Sequence, residues 1–336
     1  MNKTAFVTGI SGQDGSYLAK LLLEKGYHVV GGERRNASGN LWRLKRLGIE
    51  DSIEISDFEL SEFTNIYRNI DKYKPDEFYN LAAQSFVASS FEMPTMTADI
   101  TAVGVSRVLE AIKQINPKIK FYQASSSEMF GKVTTTPQNE STPFHPRSPY
   151  AVSKLFGHWM TVNYRESYKM FACSGILFNH ESPLRGEQFV TRKITLGLSN
   201  ILKNNQEYLE LGNLDSKRDW GYAADYVYAM YLMLQKKEPD DYVIATGKTY
   251  SVRDFINQAC KVLKIDLEWV GEGIDEIGIN KKNGKAIIKI NPKYYRPAEV
   301  DLLLGDYSKS KEKLNWQPKV NFENLVTMMV ESDYSK

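Results

Sequence analysis

Short apolar runs alternate with stretches of helical spacing along the first half of the chain. Residues 3–8 form an apolar run, Gly9-Ile10-Ser11-Gly12-Gln13-Asp14-Gly15 interrupts it, and Tyr17, Leu18, Leu21 and Leu22 then recur at helical spacing. This pattern predicts a strand, a glycine turn and a helix. Residues 27–31, 52–56, 77–81 and 120–124 read as further strands, and Ile100, Val103, Val108, Leu109 and Ile112 place a helix over 99–115. Five strands alternating with helices predict an α/β fold with a doubly wound parallel sheet. A sixth strand is expected over 171–178, after which the clean alternation ends. Beyond it come a helical run through Ile194, Leu198, Ile201 and Leu202, a short apolar stretch at 209–211, and a helix over 225–235. A strand at 243–246, a helix over 252–263 and a Gly- and Lys-rich excursion at 271–289 follow. These predict a smaller second domain, and no internal repeat or heptad is present.

Composition narrows the class of partner. The chain has 336 residues, 42% of them hydrophobic and 25% charged, which suits a folded protein of one or two domains. Its net charge is only +2 and its basic residues are dispersed, which argues against nucleic-acid or membrane-surface binding and for a small-molecule substrate. Cys173 and Cys260 lie far apart without a metal-type ligand cluster, so neither a disulfide framework nor a metal site is expected. No apolar run approaches the roughly 18 residues of a membrane span. Gly9, Gly12 and Asp14 break the N-terminal apolar stretch, so no signal peptide is read there and a cytoplasmic address is expected.

Candidate chemistry clusters where strands end. The glycine turn before the first helix suits a dinucleotide pyrophosphate, with its backbone close to the ligand and a helix N-terminus facing it. At the end of the second strand Glu33 suits a ribose 2′-hydroxyl, whereas Arg34 and Arg35 suit a 2′-phosphate and favour NADP over NAD. Glu59 offers a carboxylate toward adenine, and Ala82, Ala83 and Ser85 leave room for a cofactor. After the fifth strand, continued extension of the backbone would point Ser126 and Glu128 to one side. Tyr150 and Lys154 stand four residues apart at the start of a helix and share a face. A lysine ammonium there would favour the phenolate, as alcohol-to-ketone chemistry at a nicotinamide requires. Tyr307 and Lys311 repeat this spacing without such company. The proline-rich loop 132–149 shapes a pocket, His180 reads as an ordered loop histidine, and Lys193, Arg218 and Arg296 are candidates for a diphosphate.

Longer segments carry a family resemblance. Gly-Gln-Asp-Gly-Ser-Tyr-Leu at 12–18, Pro-Arg-Ser-Pro-Tyr-Ala-Val at 146–152, Val-Asn-Tyr-Arg-Glu-Ser-Tyr at 162–168, Gly-Ile-Leu-Phe-Asn-His-Glu-Ser-Pro at 175–183, Phe-Val-Thr-Arg-Lys at 189–193 and Arg-Pro-Ala-Glu-Val-Asp at 296–301 resemble GDP-mannose 4,6-dehydratases. These belong to the nucleotide-sugar branch of the extended short-chain dehydrogenase/reductases. The resemblance implies a Rossmann-type NADP-binding domain at 1–180 and 214–248, and a GDP-sugar-binding domain at 181–213 and 249–336. It implies catalytic roles for Ser126, Glu128, Tyr150 and Lys154. It places Gly9, Gly12, Gln13, Asp14, Gly15, Arg34, Arg35, Glu59, Leu60, Leu81, Ala82, Ala83, Ser85, His180 and Arg185 on NADP, with Tyr150 and Lys154. Ser85, Ser126, Glu128, Asn179, Lys193, Arg218, Arg296 and Glu299 would meet the substrate. The family usually has threonine at Ser126, aspartate at Glu59 and another residue at His145. The implied reaction oxidises C4, removes water across C5 and C6 with Glu128 as base, and returns the hydride to C6. GDP-D-glycero-D-manno-heptose is the alternative sugar, reduction of a 4-keto sugar the alternative reaction, and a non-catalytic nucleotide sensor the alternative from another class. A homodimer or homotetramer is expected.

Overall fold

In the computed structural model, which describes residues 2–35, 39–295, 298, 300 and 302–335, the chain opens on β1 (Thr4–Thr8), α1 (Gln13–Glu24), β2 (His28–Glu33), α2 (Trp42–Leu47), β3 (Glu54–Asp57), α3 (Phe63–Tyr73) and β4 (Glu77–Asn80). It continues through α4 (Val87–Glu92), α5 (Pro94–Ala98), α6 (Gly104–Ile115), β5 (Lys120–Ser126), α7 (Pro149–Tyr168), β6 (Ala172–Leu177) and β7 (Asn179–Glu181). Then follow α8 (Val190–Leu202), β8 (Leu209–Leu211), β9 (Lys217–Arg218), β10 (Trp220–Tyr222), α9 (Ala223–Leu234) and β11 (Tyr242–Ile244). The last stretch is β12 (Tyr250–Ser251), α10 (Val252–Val262), β13 (Leu267–Val270), β14 (Ile277–Asn280), β15 (Lys285–Ile290), α11 (Ser308–Leu314) and α12 (Phe322–Tyr334).

Strands covered by helices on both faces bury nearly every side chain, and in β1, β4 and β5 the buried polar side chains of Thr8, Glu77, Asn80 and Gln123 are hydrogen-bonded within the sheet. Phe6, Val7, Phe78, Tyr79, Phe121 and Tyr122 are fully buried. Seven parallel strands lie in the order β11-β6-β5-β4-β1-β2-β3. One face packs α1 and α9 through Leu18, Leu22, Met230 and Met233, and the other packs α3 and α6 through Ile66, Ile70, Val108 and Ile112. The seventh strand, β11, rejoins this sheet late in the chain beside β6.

Two local expectations are corrected. The helix over 99–115 starts earlier, at Pro94, and passes through a π turn at Asp99–Val103. Thr101 in that turn accepts the Gln84 backbone N–H at 3.1 Å, which ties the helix to the loop after β4. The excursion at 271–289 is not a loop: β14 and β15 form an antiparallel hairpin between β13 and β8. Lysines and Gly284 at its tip, together with a register shift at Gly278/Ile279, break the alternation that would mark it as sheet.

A second core joins α8, α10 and α12 through Leu198, Phe255, Leu325 and Met329. Within it Arg192 and Asp333 form an ion pair at 2.7 Å, with the side chains 1% and 0% exposed. Thr195 donates to the same carboxylate at 2.6 Å, and Arg192 donates onward to the Pro183 and Arg185 carbonyls. Among the described residues no helix is long and apolar enough to cross a membrane. Asp333→Ala would strand a buried guanidinium, and we expect a loss of ~3–5 kcal/mol in urea unfolding. Adding Arg192→Met should recover much of it; an Asp333→Ala loss below ~1 kcal/mol would mean that the pair is not what holds α12 to α8.

Candidate active site

The chain lays down β1, β2 and β3 in one direction, then β4, β5 and β6 in the other, so the sheet reverses between β1 and β4. Open α/β sheets bind ligands in the crevice at such a reversal, outside the carboxyl ends of the strands. Gly9 follows β1 with φ +68°. Any Cβ on Gly15 would sit 2.3 Å from the Gly9 carbonyl oxygen, so only glycine lets α1 start this close to the turn. Gly12 caps α1 without a side chain, which leaves the N–H groups of the first turn facing outward for an anion. Across the reversal, Thr8 Oγ1 accepts the Leu81 and Ala82 N–H groups, each at 3.0 Å.

These features fit a dinucleotide. Ser11 donates to Glu33 at 2.6 Å, so one carboxylate oxygen at the end of β2 is already engaged, while Arg34 and Arg35 are exposed. Glu59 is half-buried with its N–H held by Asn65, and Leu60 is buried with its carbonyl held by Arg107. Ala83 lines the loop after β4, and Ser85 is exposed there. Gln84 Oε1, in the loop after β4, and Asn179 Oδ1, at the start of β7, are buried acceptors without a partner among the described residues.

The structure brings Ser126, Glu128, Tyr150 and Lys154 together, though not by the expected geometry. Extension does not continue past Ser126. The chain turns into a 3-10 helix at Ser127–Met129, and Ser126 caps it by accepting the Glu128 N–H at 3.2 Å. A short polar side chain competes well for a nearby N–H, and that contact ends the strand. Glu128 is buried. Ser148 caps α7 by accepting the Ala151 N–H at 3.1 Å, Pro149 occupies the first turn, and Tyr150 and Lys154 are both buried on the inner face.

Burial, rather than the lysine, governs the tyrosine in the ligand-free chain. It pushes the Tyr150 phenol up to about 12, against a lowering hydrogen bond from Ser126 and with a raising contribution from Glu128. Burial also brings Lys154 down to about 8. Lys154 Nζ donates to the Ala124 carbonyl at 2.8 Å and lies 5.8 Å from the Tyr150 ring centre. In the ligand-free chain, burial therefore outweighs the pull toward phenolate expected from the ammonium.

His180 is on β7 rather than in a loop. Its ring stacks on Tyr226 with centres 4.7 Å apart and is paired with Asp14. Gln13 donates to Asp14 and to the His180 carbonyl, and accepts from Ser182. Arg185 pairs with Glu181 at 3.0 Å and covers Phe189. Lys193 donates to the Glu210 carbonyl at 2.6 Å and lies 3.6 Å from the Tyr294 ring centre. Arg218 is buried and donates to the Val300 carbonyl at 2.6 Å. Arg296 and Glu299 lie outside the described residues. Sequence reasoning missed Arg43, which donates to the Ser11 carbonyl at 3.0 Å and the Leu184 carbonyl at 2.7 Å. Its partners are remote in sequence, so no local pattern marks it.

Comparison with known proteins is consistent along the whole chain. The GDP-mannose 4,6 dehydratase family profile matches residues 6–329. A GDP-mannose 4,6 dehydratase of Drosophila melanogaster is 51% identical over 340 residues, covering 99% of this chain and 86% of that protein. One from Vibrio cholerae is 50% identical over 350 residues (99% and 94%), and one from Homo sapiens is 50% identical over 338 residues (98% and 91%). Among solved structures, a UDP-glucose 4-epimerase of Thermotoga maritima superposes with a TM-score of 0.82 at 25% identity, covering 98% of each chain. A dTDP-glucose 4,6-dehydratase of Streptomyces venezuelae shares the fold at TM-score 0.83 and 18% identity, covering 98% of this chain and 96% of that one.

The burial of Tyr150 makes a spectroscopic prediction. The difference in near-ultraviolet phenolate absorbance between the ligand-free chain and Tyr150→Phe should stay flat until the pH nears about 12. A step near neutral pH would show that the chain alone already ionises this tyrosine.

Proposed function

The chain belongs to the GDP-mannose 4,6-dehydratase family, and from that premise we propose that it converts GDP-mannose to GDP-4-keto-6-deoxymannose, as a hydro-lyase with a nicotinamide cofactor. The observation that carries this reading is the convergence of a buried carboxylate, Glu128, with the Ser126 hydroxyl, the Tyr150 phenol and Lys154. Oxidation or epimerisation at C4 needs the tyrosine, the lysine and a hydroxyl. Elimination needs in addition a base for C5, and Glu128 supplies it.

Each step follows from what the residues can hold. Tyr150 takes the C4 hydroxyl proton, and Lys154 supports the phenolate and orients the cofactor ribose. When bound, an oxidised nicotinamide cofactor would supply the hydride acceptor for C4 and the hydride donor for C6, and its positive charge would favour the Tyr150 phenolate. With C4 a ketone, the C5 proton becomes acidic; Glu128 removes it and, once protonated, gives it to the C6 hydroxyl, which leaves as water. The proton that Tyr150 took from the C4 hydroxyl goes back to C5 when hydride reaches C6, which restores the phenolate. Ser126 hydrogen-bonds at the C4 oxygen. We assign residues 1–180 and 214–248 to the cofactor, and 181–213 and 249–336 to the GDP-sugar. Lys193 and Arg218 meet the diphosphate, and Asn179 and Ser85 the sugar. Arg296 and Glu299 join them by family resemblance. Gly9 to Gly15, Glu59, Leu60, Leu81 to Ala83, His180 and Arg185 surround the cofactor. NADP is favoured over NAD because Arg34 and Arg35 are exposed while Ser11 occupies Glu33. A cytoplasmic location is supported by two buried free thiols.

We read the chain as a homo-oligomer that pairs through the outer face of α7. Val152, Phe156 and Trp159 are 54%, 43% and 55% exposed there, and exposed Met93, Met96 and Val103 lie on the neighbouring α5–α6 segment. An apolar stripe this open on a folded chain marks an association face.

Incubation with catalytic NADP and GDP-mannose should yield a product lighter by one water, without net NADPH. Reduction of a 4-keto sugar with stoichiometric NADPH use would contradict the reading, and faster turnover of GDP-manno-heptose would correct the sugar. Glu128→Gln should still oxidise C4, accumulate reduced cofactor in a single turnover, and lose ~10²–10⁴ in kcat. Phe156→Glu with Trp159→Glu should shift sedimentation to the monomer; an unchanged sedimentation coefficient would place the interface elsewhere.

A further inference from the structure

The imidazole of His180 lies between two groups that can only accept. Nδ1 is 2.7 Å from the Phe178 carbonyl oxygen and Nε2 is 2.7 Å from Asp14 Oδ2. A carbonyl has no proton to give, so Nδ1 carries one. The contact to a carboxylate then requires a second proton on Nε2. Asp14 itself presents an electrostatic problem. It stands in the first turn of α1, the helix end that the glycine turn offers to an anion. A carboxylate suits a bare helix N-terminus, but it repels a diphosphate arriving at the same place.

We propose that His180 is an imidazolium at neutral pH whose function is to neutralise Asp14, so that the first turn of α1 can receive the diphosphate of a dinucleotide. It is a positioning residue, and this role rests on the cofactor reading given above. The groups around the pair agree. Gln13 fixes the other Asp14 oxygen at 3.0 Å, Tyr226 of α9 stacks on the ring without competing for its protons, and Arg185 adds a second cation nearby. Tyr150 and Lys154 of α7 lie close enough to feel the Asp14 charge.

Burial by itself would lower His180, but the charge and hydrogen bond of Asp14 and the Phe178 carbonyl outweigh it and leave the imidazole above its ordinary value. Burial would likewise raise Asp14, and His180, Gln13 and Arg185 leave it below its ordinary value. The pair therefore persists from the lowered titration of Asp14 up to the raised titration of His180. Above that the imidazolium is lost, the Asp14 charge is exposed, and dinucleotide affinity falls. His158 is an internal contrast. It is also buried, but its Nδ1 faces the Ser125 hydroxyl at 3.3 Å, a group that donates as readily as it accepts, and burial lowers it.

The test is nitrogen-15 NMR of the histidine side chains together with NADPH and NADH titrations by fluorescence. At neutral pH both His180 nitrogens should show imidazolium shifts while His158 shows a neutral ring; a neutral His180 overturns the proposal without recourse to a variant. His180→Gln should weaken NADPH binding about tenfold or more, and Asp14→Asn in that background should restore it to within about threefold. A double variant as weak as His180→Gln overturns the charge role. Should His180→Gln fail to fold, the pH dependence of the wild type decides: NADPH affinity should fall as the His180 nitrogen signals report loss of the second proton, and affinity unchanged through that titration contradicts the proposal. If the wild type binds neither dinucleotide, the cofactor reading fails and takes this role with it, an outcome distinct from failure of the variants alone.

Discussion

The approach of α1 to the end of β1 is the constraint on which the rest of the site depends. With 2.3 Å between a hypothetical Gly15 Cβ and the Gly9 carbonyl, this contact admits no side chain. It puts the first turn of the helix against the point where the sheet reverses direction. Thr8, the last residue of β1, binds the loop after β4 to the same point through two N–H groups. Everything chemical is then measured from this corner. The 3-10 turn after β5 carries Glu128, α7 carries Tyr150 and Lys154, and β7 returns His180 to the first turn of α1.

Burial acts in opposite directions on the charged groups gathered there, and their neighbours decide which survive as ions. Tyr150 and Lys154 are each pushed toward the neutral form, which keeps the phenol protonated at neutral pH while Lys154, at about 8, still carries its charge. Asp14 and His180 are buried as well, yet each holds the other in its charged form. The difference is geometric. Asp14 and His180 meet at 2.7 Å, whereas Lys154 spends its proton on a main-chain carbonyl and stands 5.8 Å from the tyrosine ring.

The parallel sheet was legible because buried strands and amphipathic helices differ in period, and the glycine turn because it falls between one of each. The π turn at Asp99–Val103 and the hairpin of β14 and β15 were not, since neither interrupts or creates a period that local sequence shows. Ser126 and Glu128 were expected to converge, and they do, but through a cap rather than through strand alternation. Arg43 and Asp333 carried no signal at all. Their partners are brought to them only by the finished fold, 141 residues away for the Arg43 contact to Leu184 and the same separation for Asp333 and Arg192. The charge of His180 could not be read from its neighbours in sequence, because it follows from which two oxygens face its ring.

The central claim is that one hydride leaves C4 and returns to C6 of the same sugar, with Glu128 removing the C5 proton in between. Turnover of GDP-mannose carrying deuterium at C4, with unlabelled cofactor, tests it most directly. The account predicts deuterium at C6 of the keto-deoxy product and none in the cofactor recovered afterwards. Deuterium retained in the cofactor, or a product without label, would contradict it.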